Sequence, residues 1–272
     1  MTQTIDTGTD ELLCTIEDGV ATLTLNRPDA RNALSDTLSP AIREMVPALG
    51  DNKDVGVLIL TGAGTAFCAG GDVKGMGGRS SKKDWTYEER VDDLIMRQRK
   101  LTGAIYNLRK PTIAVLPGPA VGAGLSLALA CDMRIAADSA FISTGYARVG
   151  LSGDYGMSWF LTQLVGPSKA RELFYTGERV DAATCEKLGL VNRVYPDDVV
   201  RDEAFTLART IAAGPVLAMG YMKDNLDVAT TTDLDGALVQ EAKTMMKAAA
   251  TNDHREAVEA FVEKRKPNFT GT

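Results

Sequence analysis

Histidine and cysteine are scarce in this chain. Its 272 residues include one histidine, His254, and four cysteines, Cys14, Cys68, Cys131 and Cys185, none of which forms a CxxC pair. Because zinc and similar metal sites are built from clustered Cys and His ligands, this composition argues against a metal site of that kind. Scattered cysteines with apolar neighbours are typical of reduced thiols in a protein core, which predicts a cytoplasmic protein.

Long apolar runs and an excess of positive charge are also missing. The longest apolar run, residues 120–131, is too short and too rich in glycine to cross a membrane. The first ten residues are polar and lack the basic-then-apolar order of a signal peptide. The net charge is −6 and the isoelectric point is near 5.0, whereas a general nucleic-acid binder needs a basic face. We therefore expect neither a membrane nor a nucleic acid as a partner.

Two glycine-rich segments are the most informative feature that the sequence does contain. Residues 66–74 read AFCAGGDVK, and residues 118–132 read GPAVGAGLSLALACD. Each follows a predicted strand, and small residues let the backbone come close to a ligand. The second segment leads into an Ala/Leu run that predicts a helix, whose first N–H groups have no intrahelical acceptors. Two such turns side by side would hold an oxygen that becomes negative during a reaction.

Hydrophobic patterning predicts an α/β chain built from strand–strand–helix repeats. Alternating apolar and polar residues on both sides of Asp18-Gly19 predict a β-hairpin. Further strands are predicted at residues 55–61, 111–116, 133–136 and 190–194, and helices at residues 35–49 and 87–108. The chain after Pro196 is predicted to contain three or four helices, and residues 75–83 are predicted to form a loop that acts as a lid.

The order of these motifs resembles the crotonase (enoyl-CoA hydratase/isomerase) superfamily over nearly the whole chain. The matching stretches are LNRP and RNAL at 25–34, LTG at 60–62, FCAGGD at 67–72, KPTIA at 110–114, the segment 118–132, LVG at 164–166, TGE at 176–178, GLVN at 189–192 and FVEKRKP at 261–267. The resemblance implies an α/β spiral of strand–strand–helix repeats over residues 1–195. It also implies a helical C-terminal trimerisation region over residues 196–272, and hence a homotrimer or homohexamer.

The same resemblance implies an acyl-CoA substrate whose thioester carbonyl lies between two backbone N–H groups, those of Gly71 and Ala123. Such an oxyanion hole stabilises the negative oxygen of an enolate. No metal or redox cofactor is expected, since coenzyme A is part of the substrate. The implied substrate-binding residues are Ala33, Ala69, Gly70, Asp72, Val73, Lys74, Gly122, Tyr146 and Lys264. Two of them also have structural interpretations, Asp72 as a helix cap and Lys264 as part of a solvated basic tail.

The catalytic carboxylates are where the chain departs from a typical hydratase. Hydratases of this superfamily carry two glutamates, which would fall at Ser126 and Tyr146, so neither is present. A third position offers a carboxylate, because Asp154 stands in the glycine-rich segment GLSGDYG at residues 150–156. Ring-1,2-epoxyphenylacetyl-CoA isomerases have an aspartate there, and peroxisomal-type Δ3,Δ2-enoyl-CoA isomerases have a glutamate that shuttles the proton. The alternative role for Asp154 is the N-cap of the helix predicted to begin near Tyr155.

A single carboxylate suffices for a double-bond shift, so the sequence favours an enoyl-CoA isomerase with Asp154 as its acid/base. Burial near acyl carbons would raise the pKa of this carboxyl, which suits proton transfer. An enoyl-CoA hydratase or another lyase with atypical residues remains an alternative, as does a non-catalytic acyl-CoA-binding scaffold. Dehalogenases and β-diketone hydrolases of the superfamily also carry an aspartate at the position of Asp154. The hydrolases use a histidine as their base, and this chain has no histidine before position 254.

Overall fold

A seven-stranded sheet forms the centre of the protein. The structure, a computed structural model, describes residues 1–72 and 84–272. The sheet runs in the order β1-β2-β3-β4-β5-β7-β10. Its strands are β1 (Gln3–Ile5), β2 (Leu12–Glu17), β3 (Val20–Leu25), β4 (Val57–Gly62), β5 (Thr112–Leu116), β7 (Met133–Ala137) and β10 (Arg193–Tyr195). The first three strands pair antiparallel, and β3, β4, β5, β7 and β10 pair parallel.

The local sequence explains this arrangement. The predicted hairpin is confirmed, since Asp18 and Gly19 both have positive φ angles, 49° and 76°, as a tight turn between twisted strands requires. Every residue of β4 and β5 is buried, because helices cover both faces of a parallel sheet. The last strand begins three residues later than the predicted range 190–194 and ends one residue later. Leu190 and Val191 instead lie in the buried turn before β10.

A second, three-stranded sheet lies where the glycine-rich segments meet. It consists of β6 (Ala120–Val121), β8 (Phe141–Ser143) and β9 (Val180–Asp181), in the order β6-β8-β9. Two isolated bridges, Cys68 to Ala120 and Leu34 to Gly71, join the first glycine-rich segment to its neighbours. The second sheet therefore brings the two predicted turns to one place in the fold.

The helices surround these sheets. They are α1 (Leu38–Asp51), α2 (Tyr87–Lys100), α3 (Thr102–Tyr106), α4 (Ala123–Ala130), α5 (Met157–Thr176), α6 (Ala182–Lys187), α7 (Val200–Ala212), α8 (Val216–Ala229), α9 (Leu234–Ala249) and α10 (Asn252–Glu263). The prediction of one continuous helix at residues 87–108 is wrong. Leu101 has non-helical angles (φ −107°, ψ −87°) and separates α2 from α3. The predicted lid, residues 75–83, lies outside the described residues.

The C-terminal region contains four helices, as predicted. The first, α7, packs on the sheet, and its Ala204 and Ala208 are fully buried. The division into residues 1–195 and 196–272 stays a prediction. Within the described ranges no helix is long and apolar enough to cross a bilayer, and all four cysteines are free and buried, as expected.

Candidate active site

A cavity of about 620 Å³ opens where the two glycine-rich segments meet. Its wall includes Ala69, Gly70, Gly71 and Asp72 from the first segment, Val121, Gly122 and Ala123 from the second, and Tyr146, Asp154 and Tyr155 from the loop before α5. The remaining lining residues are Leu34, Ser35, Asp36, Ser39, Asp93, Leu94, Arg97, Thr144, Gly145, Val149 and Leu151. The two turns and the predicted carboxylate therefore share one cavity.

The backbone N–H of Gly71 lies on this wall and has no hydrogen-bond acceptor among the described residues. The bridge to Leu34 uses the groups on either side of Gly71, because Leu34 N donates to Gly70 O at 2.8 Å and Asp72 N donates to Leu34 O at 3.1 Å. The amide of Gly71 thus faces away from Leu34, and no acceptor for it occurs among residues 1–72 and 84–272.

The amide of Ala123 is free for a different reason. Ala123 is the first residue of α4, so its N–H has no intrahelical acceptor. The preceding Gly122 donates to Ser143 O at 3.0 Å and adopts φ 52° and ψ −130°, a conformation that favours glycine. The φ angle of Ala123 itself is not positive, so an alanine is accommodated at this position. Nothing in the described part of the chain accepts a hydrogen bond from this amide.

Two glycines let the turns approach each other. A Cβ atom on Gly70 would lie 2.9 Å from Val121 O and 3.7 Å from Ala123 N. A Cβ atom on Gly124 would lie 2.5 Å from Cys68 O and 2.7 Å from Cys68 Sγ. Because real Cβ atoms do not come so close to backbone oxygens, these contacts require glycine. The two free amides are therefore held on adjacent backbone segments.

The carboxylate of Asp154 is held by a tyrosine. Tyr146 Oη donates to Asp154 Oδ1 at 2.7 Å, and Ser126 Oγ donates to the backbone oxygen of Asp154 at 3.3 Å. The two positions where the resemblance places glutamates thus both contact the Asp154 segment. Tyr146 was predicted to bind substrate, but its hydroxyl is committed to Asp154.

The N-cap alternative for Asp154 is wrong. Helix α5 begins at Met157, its N-cap is Gly156, and no side chain caps it. Only the backbone oxygen of Asp154 accepts from this helix, from Met157 N at 3.2 Å. The loop is instead held by Tyr155, which adopts a positive φ of 53° and donates its N–H to Gln98 Oε1 at 2.7 Å. The carboxylate of Asp154 is therefore left on the cavity wall.

Burial governs the proton affinities of this pair. It raises the pKa of the Asp154 carboxyl above its ordinary value, and the hydrogen bond from Tyr146 acts in the opposite direction. Burial, together with the charge of Asp154 and the hydrogen bond to it, raises the pKa of the Tyr146 phenol. Tyr146 is therefore a neutral hydrogen-bond donor, whereas Asp154 has the raised pKa that suits a group exchanging protons.

The other acidic residues on the wall have different environments. Asp72 forms an ion pair with Arg27, with Arg27 Nη2 3.1 Å from Asp72 Oδ2, and Asp93 forms one with Arg97 at 2.8 Å. The side chain of Asp36 is fully exposed, 3.9 Å from Arg97. Asp72 therefore forms an ion pair as well as lining the cavity, and its predicted contact with substrate stays a prediction.

The remaining predicted binding residues are distributed unevenly. Ala69, Gly70 and Gly122 line the cavity. Ala33 is buried beside it, and its backbone oxygen accepts from Arg27 Nη1 at 2.6 Å. Lys264 is exposed at the end of α10 and does not line the cavity of its own chain. Val73 and Lys74 lie outside the described residues.

Sequence reasoning expects the helix after residues 75–83 to shape the pocket, but it does not identify which residues of α2 line it. Leu94, Asp93 and Arg97 line the cavity, yet no residue of α2 is fully buried. Its apolar positions Val91, Leu94 and Ile95 are each more than a third exposed. The sequence places an amphipathic helix after residues 75–83, but amphipathicity alone does not distinguish a core face from a cavity wall.

Comparison with known proteins identifies the family of this chain. A sequence model of the family described as enoyl-CoA hydratase/isomerase matches residues 15–272. The chain belongs to the enoyl-CoA hydratase/isomerase family. The expected superfamily and its α/β spiral fold are thereby confirmed, since the crystal structure of an enoyl-CoA hydratase from Mycobacterium smegmatis superposes with a TM-score of 0.86. That structure is 34% identical, and the match covers 96% of this chain and 99% of that one.

Relatives within the enoyl-CoA hydratase/isomerase family carry both kinds of name. A probable enoyl-CoA hydratase, echA8, from Mycobacterium bovis is 36% identical over 262 residues, covering 96% of this chain and 98% of the relative. A 1,2-epoxyphenylacetyl-CoA isomerase from Escherichia coli is 34% identical over 264 residues, covering 96% of this chain and 98% of the relative. This family member is therefore an enzyme of the hydratase/isomerase type.

Proposed function

We propose that this enzyme shifts a double bond in an enoyl-CoA, with Asp154 as its only acid/base. The observation that carries the proposal is the contrast among the carboxylates on the cavity wall. Asp72 and Asp93 are paired with arginines, whereas Asp154 is held by a neutral phenol and has a raised pKa. Asp154 also shares the cavity with the free amides of Gly71 and Ala123.

The proposed reaction is a proton transfer between two carbons of the acyl group. The Asp154 carboxylate removes a proton from one carbon, and the electron pair moves through the conjugated system onto the thioester oxygen. The amides of Gly71 and Ala123 hydrogen-bond that oxygen, which they stabilise more when it is negative. The protonated Asp154 then returns the proton two carbons away, the double bond reforms at its new position, and no water is consumed.

Hydration is the second candidate, because most of the relatives' printed names say hydratase. Addition of water requires one group to orient and deprotonate water and another to manage the proton at carbon. Ser126 and Tyr146 hold no carboxylate for this purpose, and Ser126 is fully buried. The site therefore supports isomerisation better than hydration.

Replacing Asp154 by asparagine tests the proposal. Asp154→Asn keeps an oxygen that accepts from Tyr146 but cannot take up a proton at neutral pH. We expect turnover of 3-enoyl- or 2-enoyl-CoA thioesters to fall by about 10²- to 10⁴-fold. Asp36→Asn, which removes an exposed carboxylate on the same cavity, is the matched control and should retain wild-type turnover. Full activity of Asp154→Asn on the true substrate would overturn the proposal.

The remaining expectations belong to the same proposal. The substrate is an acyl-CoA, with Ala33, Ala69, Lys74 and the neighbouring Val73 beside the coenzyme A moiety. Lys264 is proposed to contact a phosphate of coenzyme A bound to a neighbouring subunit, since it is remote from the cavity of its own chain. The reaction as written uses no metal or redox cofactor and is placed in the cytoplasm.

A further inference from the structure

Tyr146 is fixed more firmly than a residue that only lines a cavity. It is 6% exposed and begins a short 3₁₀-helix, residues 146–149. Its ring stacks on Phe174 of α5 at a centroid distance of 6.3 Å and an interplanar angle of 13°. A Cβ atom on Gly153 would lie 2.9 Å from Phe174 and 3.8 Å from Tyr146. The glycine next to Asp154 thus lets the loop pack closely on both rings.

We propose that Tyr146 is the positioning residue that assigns proton transfer to a single oxygen of Asp154. The inference rests on the proposed function. Tyr146 Oη donates a hydrogen bond to Asp154 Oδ1 at 2.7 Å. No described residue donates a hydrogen bond to Asp154 Oδ2. Oδ2 is therefore the oxygen that takes the proton from carbon and returns it.

This arrangement serves both protonation states of Asp154. When the carboxylate is ionised, Oδ1 accepts the phenol proton as a charged acceptor, which makes a strong hydrogen bond. When Oδ2 carries the proton, Oδ1 is a carbonyl-type oxygen and still accepts from the phenol. Tyr146 need not move during the proton transfer, so the carboxyl keeps one orientation throughout the reaction.

Ser126 supports the same arrangement from the other side. Its side chain is fully buried in α4, hydrogen-bonds the backbone oxygen of Asp154 at 3.3 Å and also interacts with the Tyr146 hydroxyl. The single hydroxyl proton of Ser126 goes to the Asp154 backbone oxygen, and the phenol of Tyr146 gives its own proton to the Asp154 carboxylate. The helix that supplies the Ala123 amide therefore also orients the acid/base group.

The variant Tyr146→Phe tests this inference because it removes one hydroxyl and keeps the ring that stacks on Phe174. Loss of the donor leaves burial unopposed, so the pKa of Asp154 rises further. Since the base must be ionised, activity is lost as pH falls through this pKa. The acid limb of the kcat profile should move to higher pH by about one unit. We expect kcat at neutral pH to fall about tenfold or more, with KM changed less than twofold.

The matched control is Tyr106→Phe, because Tyr106 Oη also donates to an aspartate, Asp227, at 2.7 Å but does not line the cavity. The Tyr106→Phe variant should leave the acid limb of the kcat profile in place, and thermal unfolding of both tyrosine variants shows whether they are folded.

Ser126→Ala should shift the acid limb of the kcat profile in the same direction as Tyr146→Phe, but by less. An unmoved acid limb in Tyr146→Phe, with Asp154→Asn inactive, would overturn this inference alone. An active Asp154→Asn would overturn the proposed function as well.

Discussion

Asp154 and Asp72 are the same residue type on the wall of one cavity, but their surroundings give them different chemistry. Asp72 forms an ion pair with the guanidinium of Arg27, with Arg27 Nη2 3.1 Å from Asp72 Oδ2. Asp154 lies among apolar and neutral groups, and burial raises its pKa. A carboxyl must be able to hold and release a proton near neutral pH to act as acid/base. The local environment, rather than residue type, therefore distinguishes the two.

The side chain of Asn32 holds the backbone at the start of the first glycine-rich segment through hydrogen bonds. It is fully buried, has a positive φ of 56°, and accepts from Arg27 N at 2.9 Å. Its amide nitrogen donates to Ala63 O at 2.9 Å and Ala66 O at 2.8 Å. One side chain thus joins three backbone groups just ahead of the cavity.

The variant Asn32→Ala should lower the free energy of unfolding by about 2–4 kcal/mol, since it leaves buried backbone groups without partners. Asn107→Ala is the control, because the exposed Asn107 makes one hydrogen bond, to Gly103 O at 2.7 Å, and should cost under about 1 kcal/mol. Urea unfolding measures both. Equal losses in the two variants would contradict the role given to Asn32.

For single residues, the sequence predicts which residues share the cavity better than it predicts their hydrogen-bond partners. Gly71, Ala123 and Asp154 were all predicted, and they share one cavity. The Tyr146 to Asp154 hydrogen bond was not predicted, because the geometry of the 3₁₀-helix and of the loop before α5 decides which way the hydroxyl points. Lys264 and the coenzyme A contacts depend on groups outside the single described chain and stay predictions.

The element that matters most is α4, which supplies the Ala123 amide and carries Ser126. Its position depends on Gly124, which allows contact with Cys68. The helix is buried on every side, so it cannot shift without disturbing its surroundings. A change at Gly124 should therefore alter the distance between the two free amides.

The variant Gly124→Ala should reduce kcat between about tenfold and a thousandfold, because the added methyl group would lie 2.5 Å from Cys68 O and must push α4 away. Gly103→Ala is the matched control. Gly103 lies in α3, and its added methyl group would lie 3.5 Å from the nearest atom, Gln98 O. Activity should therefore be unchanged and stability equal or greater. Steady-state kinetics on the same substrate compares the two. Wild-type kcat in Gly124→Ala would show that this contact does not position the amide.

Secondary structure was predictable where periodicity is strong. The hairpin β2–β3 and the strands β4, β5 and β7 were found because alternation and apolar runs report burial directly. The short strands β6, β8 and β9 were not predicted, since two or three residues carry no periodic signal. The break at Leu101 was also missed, although Thr102 and Gly103 directly after it are poor helix formers.

At the scale of the whole molecule, the C-terminal helices carry a group of large apolar side chains that are exposed in the single chain, and exposed apolar patches mark interaction sites. The exposed side chains are Leu226, Leu234, Leu238, Met245, Met246, Phe261 and Val262, with exposed fractions between 53% and 86%. This surface supports the proposal of a homotrimer or homohexamer, in which neighbouring subunits cover it.

The variant Leu238→Glu tests that proposal, because a charge in a buried interface opposes association. We expect light scattering coupled to size-exclusion chromatography to give a trimer or hexamer for the wild type and smaller species for the variant. Leu13→Glu, which changes an exposed leucine on β2, should keep the wild-type mass. A wild-type protein that stays monomeric at micromolar concentration would contradict the proposal.

The most direct test of the central claim is to incubate the enzyme in D₂O with 2-enoyl-, 3-enoyl- and arylacetyl-CoA thioesters and to examine each product by mass spectrometry and NMR. We expect a shifted double bond, no gain of water, and deuterium only at the two carbons that exchange the proton. A product that has gained one water would contradict isomerisation through Asp154, and tight binding without turnover or deuterium exchange would contradict catalysis of this kind.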